Sequence, residues 1–179
     1  MRVVGFFLFF PLTRLCHSVK LQEHCGEKWG NMSSSPKPIG VTFHALDAKN
    51  RLAIPSKIRF TIKNPKGMIL SRGLEGCLNL YELDAWEKIG EKLEAMALKN
   101  KAEQRAFKRM LIASAGEVEF DDEGRILIPQ NLADYADLKR EAAILGLGEK
   151  IEIWAKHRWT LYEKKERRSF QRYASQLAI

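Results

Sequence analysis

The sequence predicts an α+β fold in which one β-rich unit is used twice, with helices between and after the copies. Three observations predict it. The text repeats itself at an offset of 74 and then 73 residues. Short β-prone runs are bounded by Asn, Gly and Pro. Longer stretches between and after them carry apolar residues at helical spacing.

The repeat comes in two blocks. Ala45-Leu46-Asp47-Ala48-Lys49-Asn50-Arg51-Leu52-Ala53-Ile54-Pro55 aligns with Glu119-Phe120-Asp121-Asp122-Glu123-Gly124-Arg125-Ile126-Leu127-Ile128-Pro129. Further on, Gly73–Tyr81 aligns with Gly146–Trp154, and Trp86 then matches Trp159. Two separated blocks in the same order, one gap apart, mark a duplicated supersecondary unit.

Taken in order, Val41–Leu46 and Glu117–Phe120 read as first strands, with Val118 and Phe120 facing inward. Lys49-Asn50 and Glu123-Gly124 are tight turns, because Asn and Gly tolerate positive φ. Leu52–Ile54 and Ile126–Ile128 read as buried return strands, each hairpinned to the strand before it. Pro55 and Pro129 end them and suit the first turn of a helix. Met68–Leu70 with Cys77–Tyr81, and Ala142–Leu145 with Lys150–Trp154, complete the units. Between the units, Asp84 is the expected N-cap of a helix, with Glu87 three residues later. Trp86, Ile89, Leu93 and Met96 form its apolar face. A second helix over Lys101–Ser114 places Ala106, Phe107, Met110 and Leu111 together. A third, from Lys156 to Gln176, carries Trp159, Tyr162, Phe170, Tyr173 and Leu177 on a broken stripe, with Lys164-Lys165 and Arg167-Arg168 on a basic side. For all three, core or subunit packing is the expected role. The resulting division is an N-terminal extension over 1–38, a first unit over 39–83, linking helices over 84–115, a second unit over 116–155 and a basic helix over 156–179.

The N-terminal extension stands apart. Met1–Phe10 resembles a short signal h-region, but Pro11 and Arg14 end it and no small-x-small site follows promptly. A start at Met32 is the preferred expectation. Trp29-Gly30 must be encoded by a purine-rich run and Gly26-Glu27 can encode a ribosome-binding sequence, which leaves residues 1–31 a mis-assigned start or a disordered lead. Cys16-His17 and His24-Cys25 match no common zinc-finger spacing.

Composition excludes several classes. In 179 residues, 45% are hydrophobic and 29% charged, as in ordinary globular domains. No run of 18 apolar residues occurs, so no ordinary membrane-spanning helix is predicted. Three cysteines make no disulfide framework, which points to a reducing, cytoplasmic compartment. No Ser/His/Asp set, phosphate loop or metal motif is present, His44 and His157 stand alone, and Cys77 lies in an apolar strand. Neither an enzyme nor a cofactor is expected.

Charge distribution says more than the net +8. From Asp47 to Arg72 there are seven cations and one anion, a +6 segment that includes Lys49, Arg51, Lys57, Arg59, Lys63, Lys66 and Arg72. From Glu117 to Glu141 the balance is −5. A cationic segment can neutralise phosphates and release counterions. A solvated charged face explains charge alone equally well. Asp-x-x-x-Arg occurs once per unit, as Asp47…Arg51 and Asp121…Arg125, and reads first as a hairpin brace in which the carboxylate bonds backbone N–H groups or the arginine.

These residues resemble the MraZ family, relatives of the AbrB-type swapped-hairpin proteins. The resemblance is carried by Asp47–Pro55, Leu70–Leu78, Asp121–Pro129 and Ile151–Trp154, and spans about residues 40–162. Family members usually have Gly where Asn50 stands, and the basic tail after Tyr162 lies outside the shared pattern. The resemblance implies a tandem fused double-split β-barrel and a homo-oligomeric ring, an octamer or similar. It implies a nucleoid-associated transcriptional regulator that binds short direct repeats in double-stranded promoter DNA upstream of the division and cell wall gene cluster. Carried over by position, Lys49, Asn50, Arg51 and Arg125 face DNA, with Asp47 and Asp121 supporting. Arg51 is expected to read a guanine edge. Lys57, Arg59 and Arg72 are candidate phosphate contacts. The −5 segment of one subunit is expected to meet the +6 segment of its neighbour. An antitoxin-like or scaffolding module on the same barrel is the alternative, with the C-terminal aromatic stripe docking a protein partner.

Overall fold

The structure, a computed structural model, describes residues 40–96 and 100–176. Expectations for residues 1–38, the two Cys/His pairs there, and Leu177 lie outside them. First-repeat strands are β1 (Val41–Ala45), β2 (Arg51–Ala53), β3 (Met68–Arg72) and β4 (Leu78–Tyr81), with a short helix α1 (Ser56–Arg59) after β2. Helices α2 (Leu83–Ala95) and α3 (Lys101–Ser114) follow. The second repeat gives β5 (Gly116–Val118), β6 (Arg125–Leu127), α4 (Gln130–Ala136), β7 (Glu141–Gly146), β8 (Lys150–Ala155) and the long α5 (Lys156–Gln176).

The fold is α+β, and all its strand pairs are antiparallel. Six strands form one sheet in the order β1-β7-β8-β4-β3-β5, and β2 pairs with β6 in a second. Each first strand is therefore exchanged: β1 lies against β7 of the other repeat, and β5 against β3. The expected hairpins survive only as single bridges, Leu46 to Leu52 and Phe120 to Ile126. Their return strands pair with each other instead. Leu52 sits opposite Ile126, its own repeat equivalent, so a pseudo-two-fold runs through that pair. The physical reason is the core: the exchange sets Leu52 of one copy against Ile126 of the other, both fully buried. Pairing the two copies puts both apolar faces into one core.

That core holds Leu52, Ile54, Ile58, Met68, Leu70, Leu78, Leu80, Ile126, Ile128, Leu132, Ile144 and Ile153, all nearly fully buried. Period-two alternation corrects one expectation: Leu127 points away from the core and is 57% exposed, between buried Ile126 and Ile128. Across the sheet, Ala143, Leu145 and Trp154 form a smaller cluster with Cys77, covered by Trp159 and Tyr162 of α5. Trp154 lies 5.7 Å from Trp159 and 4.8 Å from Tyr162, ring centre to ring centre.

The helices bring further corrections. The N-cap of α2 is Glu82, and Asp84 lies in the first turn, where its charge meets the positive end of the helix dipole. On α3, Asn100 is the N-cap, accepting from the N–H groups of Ala102 and Glu103. Of the apolar face expected on α3, Leu111 is half-buried and Ala106, Phe107 and Met110 are exposed, while Gln104 and Lys108 are half-buried. On α5, Phe170 and Tyr173 are exposed beyond the Trp159–Tyr162 contact.

Candidate nucleic-acid interface

Both Asp-x-x-x-Arg turns are braced in the same way. Asp47 Oδ1 accepts the backbone N–H groups of Lys49 and Arg51, each at 2.8 Å, and Oδ2 accepts Arg51 Nε at 2.6 Å. Asp121 Oδ1 accepts the N–H groups of Glu123 at 3.1 Å and Arg125 at 2.8 Å, and Oδ2 accepts Arg125 Nε at 2.8 Å. Each turn also closes on a backbone bond, from Asn50 N–H to Asp47 and from Gly124 N–H to Asp121. The apex residues adopt the positive φ foreseen for them, 58° at Asn50 and 74° at Gly124. Hydrogen bonds from backbone N–H groups favour the ionised carboxyl. The Arg51 N–H, followed by its guanidinium and the Lys49 N–H, holds Asp47 down at about 2. Asp121 is lowered in the same way, first by the Arg125 N–H.

Strand exchange brings the two turns together. The apex carbonyl of Asn50 accepts the N–H of Ile128, and that of Gly124 accepts the N–H of Ile54. Arg51 Nη1 comes within 3.9 Å of Asp121 Oδ2. Each turn also abuts the short helix after the other return strand. Asn50 Nδ2 donates to Gln130 Oε1 at 2.7 Å, and Gln130 Nε2 donates to Asp134 Oδ1 at 2.7 Å. At the other turn, Arg59 Nε donates to the Ile54 carbonyl at 3.0 Å. Its guanidinium lies so close that a Cβ on Gly124 would fall 2.3 Å from Arg59 Cζ.

The turns differ in charge. Asp47, Lys49 and Arg51 leave the first turn cationic, whereas Asp121, Asp122 and Glu123 outweigh Arg125 in the second. Lys49 and Lys57 are exposed and in no ion pair among the described residues. Arg51 uses Nε on Asp47, which fixes the plane of its guanidinium, and among the described residues its terminal nitrogens make no hydrogen bond, only the longer approach to Asp121. Arg125 is spent more fully, with Nε on Asp121 and Nη1 on Glu123 at 2.5 Å. Arg72 is half-buried and stacked 4.7 Å over the Tyr135 ring, so the structure does not place it with the turns. Sequence reasoning missed Gln130. Its i,i+4 spacing to Asp134 was visible, but its contact with Asn50 spans 80 residues and exists only because β2 pairs with β6.

Elsewhere the solitary residues are occupied. His157 Nε2 lies 2.9 Å from Asp137 Oδ2 at the start of α5. Burial pushes the Cys77 thiol up to about 12, which leaves it unreactive at neutral pH. Among the described residues, no helix is long and apolar enough to cross a membrane.

Comparison with known proteins agrees with this duplicated architecture. A family model described as "MraZ protein, putative antitoxin-like" matches twice, over residues 39–110 and 111–178. A protein of Heliobacterium modesticaldum named "Transcriptional regulator MraZ" is 37% identical over 139 residues, covering 78% of this chain and 95% of that protein. Proteins of the same name from Clostridium acetobutylicum and Clostridium beijerinckii are 44% and 41% identical over 126 residues, each covering 70% of this chain and 87% of the relative. With both halves matched and relatives aligned over nearly their full length, this chain belongs to the MraZ family.

Proposed function

We propose that this protein is a sequence-specific DNA-binding transcriptional regulator whose first hairpin turn meets the duplex. One observation carries the reading. The Asp47 brace fixes the Arg51 guanidinium while its terminal nitrogens make no hydrogen bond among the described residues, Nη1 standing 3.9 Å from Asp121 Oδ2, and Lys49 is exposed beside it, within a +6 stretch of chain. A guanidinium so held can take a guanine edge end-on, a contact giving about 1–3 kcal/mol of discrimination. Lys49 and Lys57 supply phosphate contacts. Arg59 and Arg72 mainly support the surface, because each already serves an internal contact. Arg125, with two carboxylates on it, makes the weaker contact from the second turn.

The name shared by the relatives supports regulation of transcription as the role. The exchanged strands support reading the two repeats as a fused double-split barrel, with units over 39–83 and 116–155. One cationic turn per chain gives few base contacts. A ring of copies on short direct repeats supplies the rest by avidity, at the promoter of division and cell wall genes in the nucleoid. Part of the charge complementarity expected between neighbouring subunits is used within one chain, where Arg51 approaches Asp121. The remainder steers ring closure, which charge reversal at Asp134 and Asp137 should weaken.

A mobility-shift titration over salt tests the reading. Affinity for promoter duplex should fall steeply with salt, with a log–log slope of about −0.9 per phosphate neutralised. Arg51→Ala should abolish preference for repeat-bearing over scrambled duplex. Lys49→Ala should weaken both alike and reduce the slope by about one. Absence of binding at low ionic strength overturns the proposal. It would favour the antitoxin-like, protein-binding reading, for which the exposed Phe170 and Tyr173 on α5 are the available surface.

A further inference from the structure

We infer that Asn50 reads a base through its carbonyl oxygen, as an acceptor, and that Gln130 and Asp134 of the other repeat impose that polarity; the inference rests on the first turn facing DNA. An ionised carboxylate can only accept hydrogen bonds. Asp134 Oδ1 therefore takes its hydrogen from Gln130 Nε2, at 2.7 Å. With its amino end so engaged, Gln130 offers Oε1 to Asn50, and Asn50 must answer with Nδ2, at 2.7 Å. The three side chains run in one direction only. An amide that would otherwise turn over freely is fixed by its network.

Asn50 Oδ1 accepts no hydrogen bond among the described residues, and of the two Nδ2 hydrogens one is held on Gln130. The main-chain groups of Asn50 are committed, N–H to Asp47 and C=O to Ile128, so the side-chain oxygen is the acceptor it has left to offer. The arrangement belongs to one turn. At the 74-residue offset, Gly124 replaces Asn50, while Ser56 and Phe60 stand where Gln130 and Asp134 do. A glycine apex has no side chain to read with.

In the major groove, an acceptor is matched by the exocyclic amino groups of adenine and cytosine. It is repelled by guanine N7 and O6 and by thymine O4, which are acceptors themselves. Arg51, one residue on, presents donors. The first turn thus carries an ordered acceptor–donor pair, suited to an amino-bearing base edge beside a guanine.

Selection of binding sites from randomised duplexes, followed by mobility shifts on matched and mismatched sites, tests this with the full chain, Asn50→Gly, Gln130→Ala and Arg51→Ala. Glycine suits the φ of 58°, and the second turn already runs on Gly124, so Asn50→Gly should fold. The unaltered protein should require an amino-bearing base next to the position that Arg51→Ala loses. Asn50→Gly should lose discrimination at that position by about 5- to 150-fold, while selection at the position read by Arg51 persists. Gln130→Ala should relax the same base pair, because the amide can then turn over. If Asn50→Gly selects the same site as the unaltered protein, the inference fails while the DNA-binding reading stands. If only Gln130→Ala is without effect, the imposed polarity fails. If the unaltered protein neither binds nor selects at low salt, the DNA-binding reading itself fails.

Discussion

Asp47 and Asp121 each serve two backbone N–H groups and one guanidinium, so their ionisation and the shape of the turns are linked. Asp47 is held at about 2 against an ordinary value of 3.8. A carboxyl lowered on folding stabilises the native state above its unfolded value, and that contribution is lost as pH falls towards the native one. The stability gap between the unaltered protein and Asp47→Asn should therefore be constant above about pH 5 and shrink progressively from there to about pH 1, below both values. Denaturant melts at a series of pH values read this, and a gap as large at about pH 2 as at about pH 6 refutes the brace. Gly124 shares the positive φ of Asn50, and an added Cβ there would also have to push the Arg59 guanidinium aside. Gly124→Ala should lose about 1–2 kcal/mol from the left-handed backbone alone, with more from displacing Arg59. A urea midpoint equal to that of the unaltered protein would show the turn to be more plastic than this packing allows.

The elements show why a strong local pattern is not always a local structure. Asp-x-x-x-Arg with a positive-φ apex makes the turn, and the turn forms as its residues dictate. Yet β2 and β6 leave their expected hairpin partners, because pairing with each other closes the apolar faces of both copies into one core. Leu52 and Ile126, facing each other at full burial, are the centre of that exchanged pair. Leu52→Ala should cost about 2–5 kcal/mol as a buried large-to-small change. The exposed neighbour Leu127 should tolerate Ala within about 0.5 kcal/mol. Equal losses at the two positions, measured by chemical denaturation, would contradict the alternation. The exposed apolar face of α3 likewise shows that spacing marks a stripe without saying what covers it.

At the scale of the whole molecule, each repeat is incomplete alone. The first strand of each pairs with a strand of the other, and among the described residues β2 and β6 form a ladder with each other, beside single bridges to Leu46 and Phe120. Residues 39–115 produced alone should not be a folded monomer. The fragment should be unfolded or should dimerise, a second copy replacing the missing repeat. Circular dichroism with sedimentation decides this, and a folded monomer would refute the interlocked arrangement. The same interlocking sets the two turns side by side with unlike charge, so a site distributed over 80 residues of chain becomes one surface.

The sequence alone determined the duplication, the strands and helices to within a few residues, the positive-φ apices at Asn50 and Gly124, and the Asp-to-Arg braces. These follow from interactions between residues close along the chain, whose partners are read from spacing. Only the tertiary structure decided that the return strands pair across repeats, that Arg59 packs under Gly124 and Arg72 on Tyr135, and that Gln130 reaches Asn50. Those contacts join residues distant in sequence, and their energy comes from closing one shared core over two copies, which no local pattern encodes.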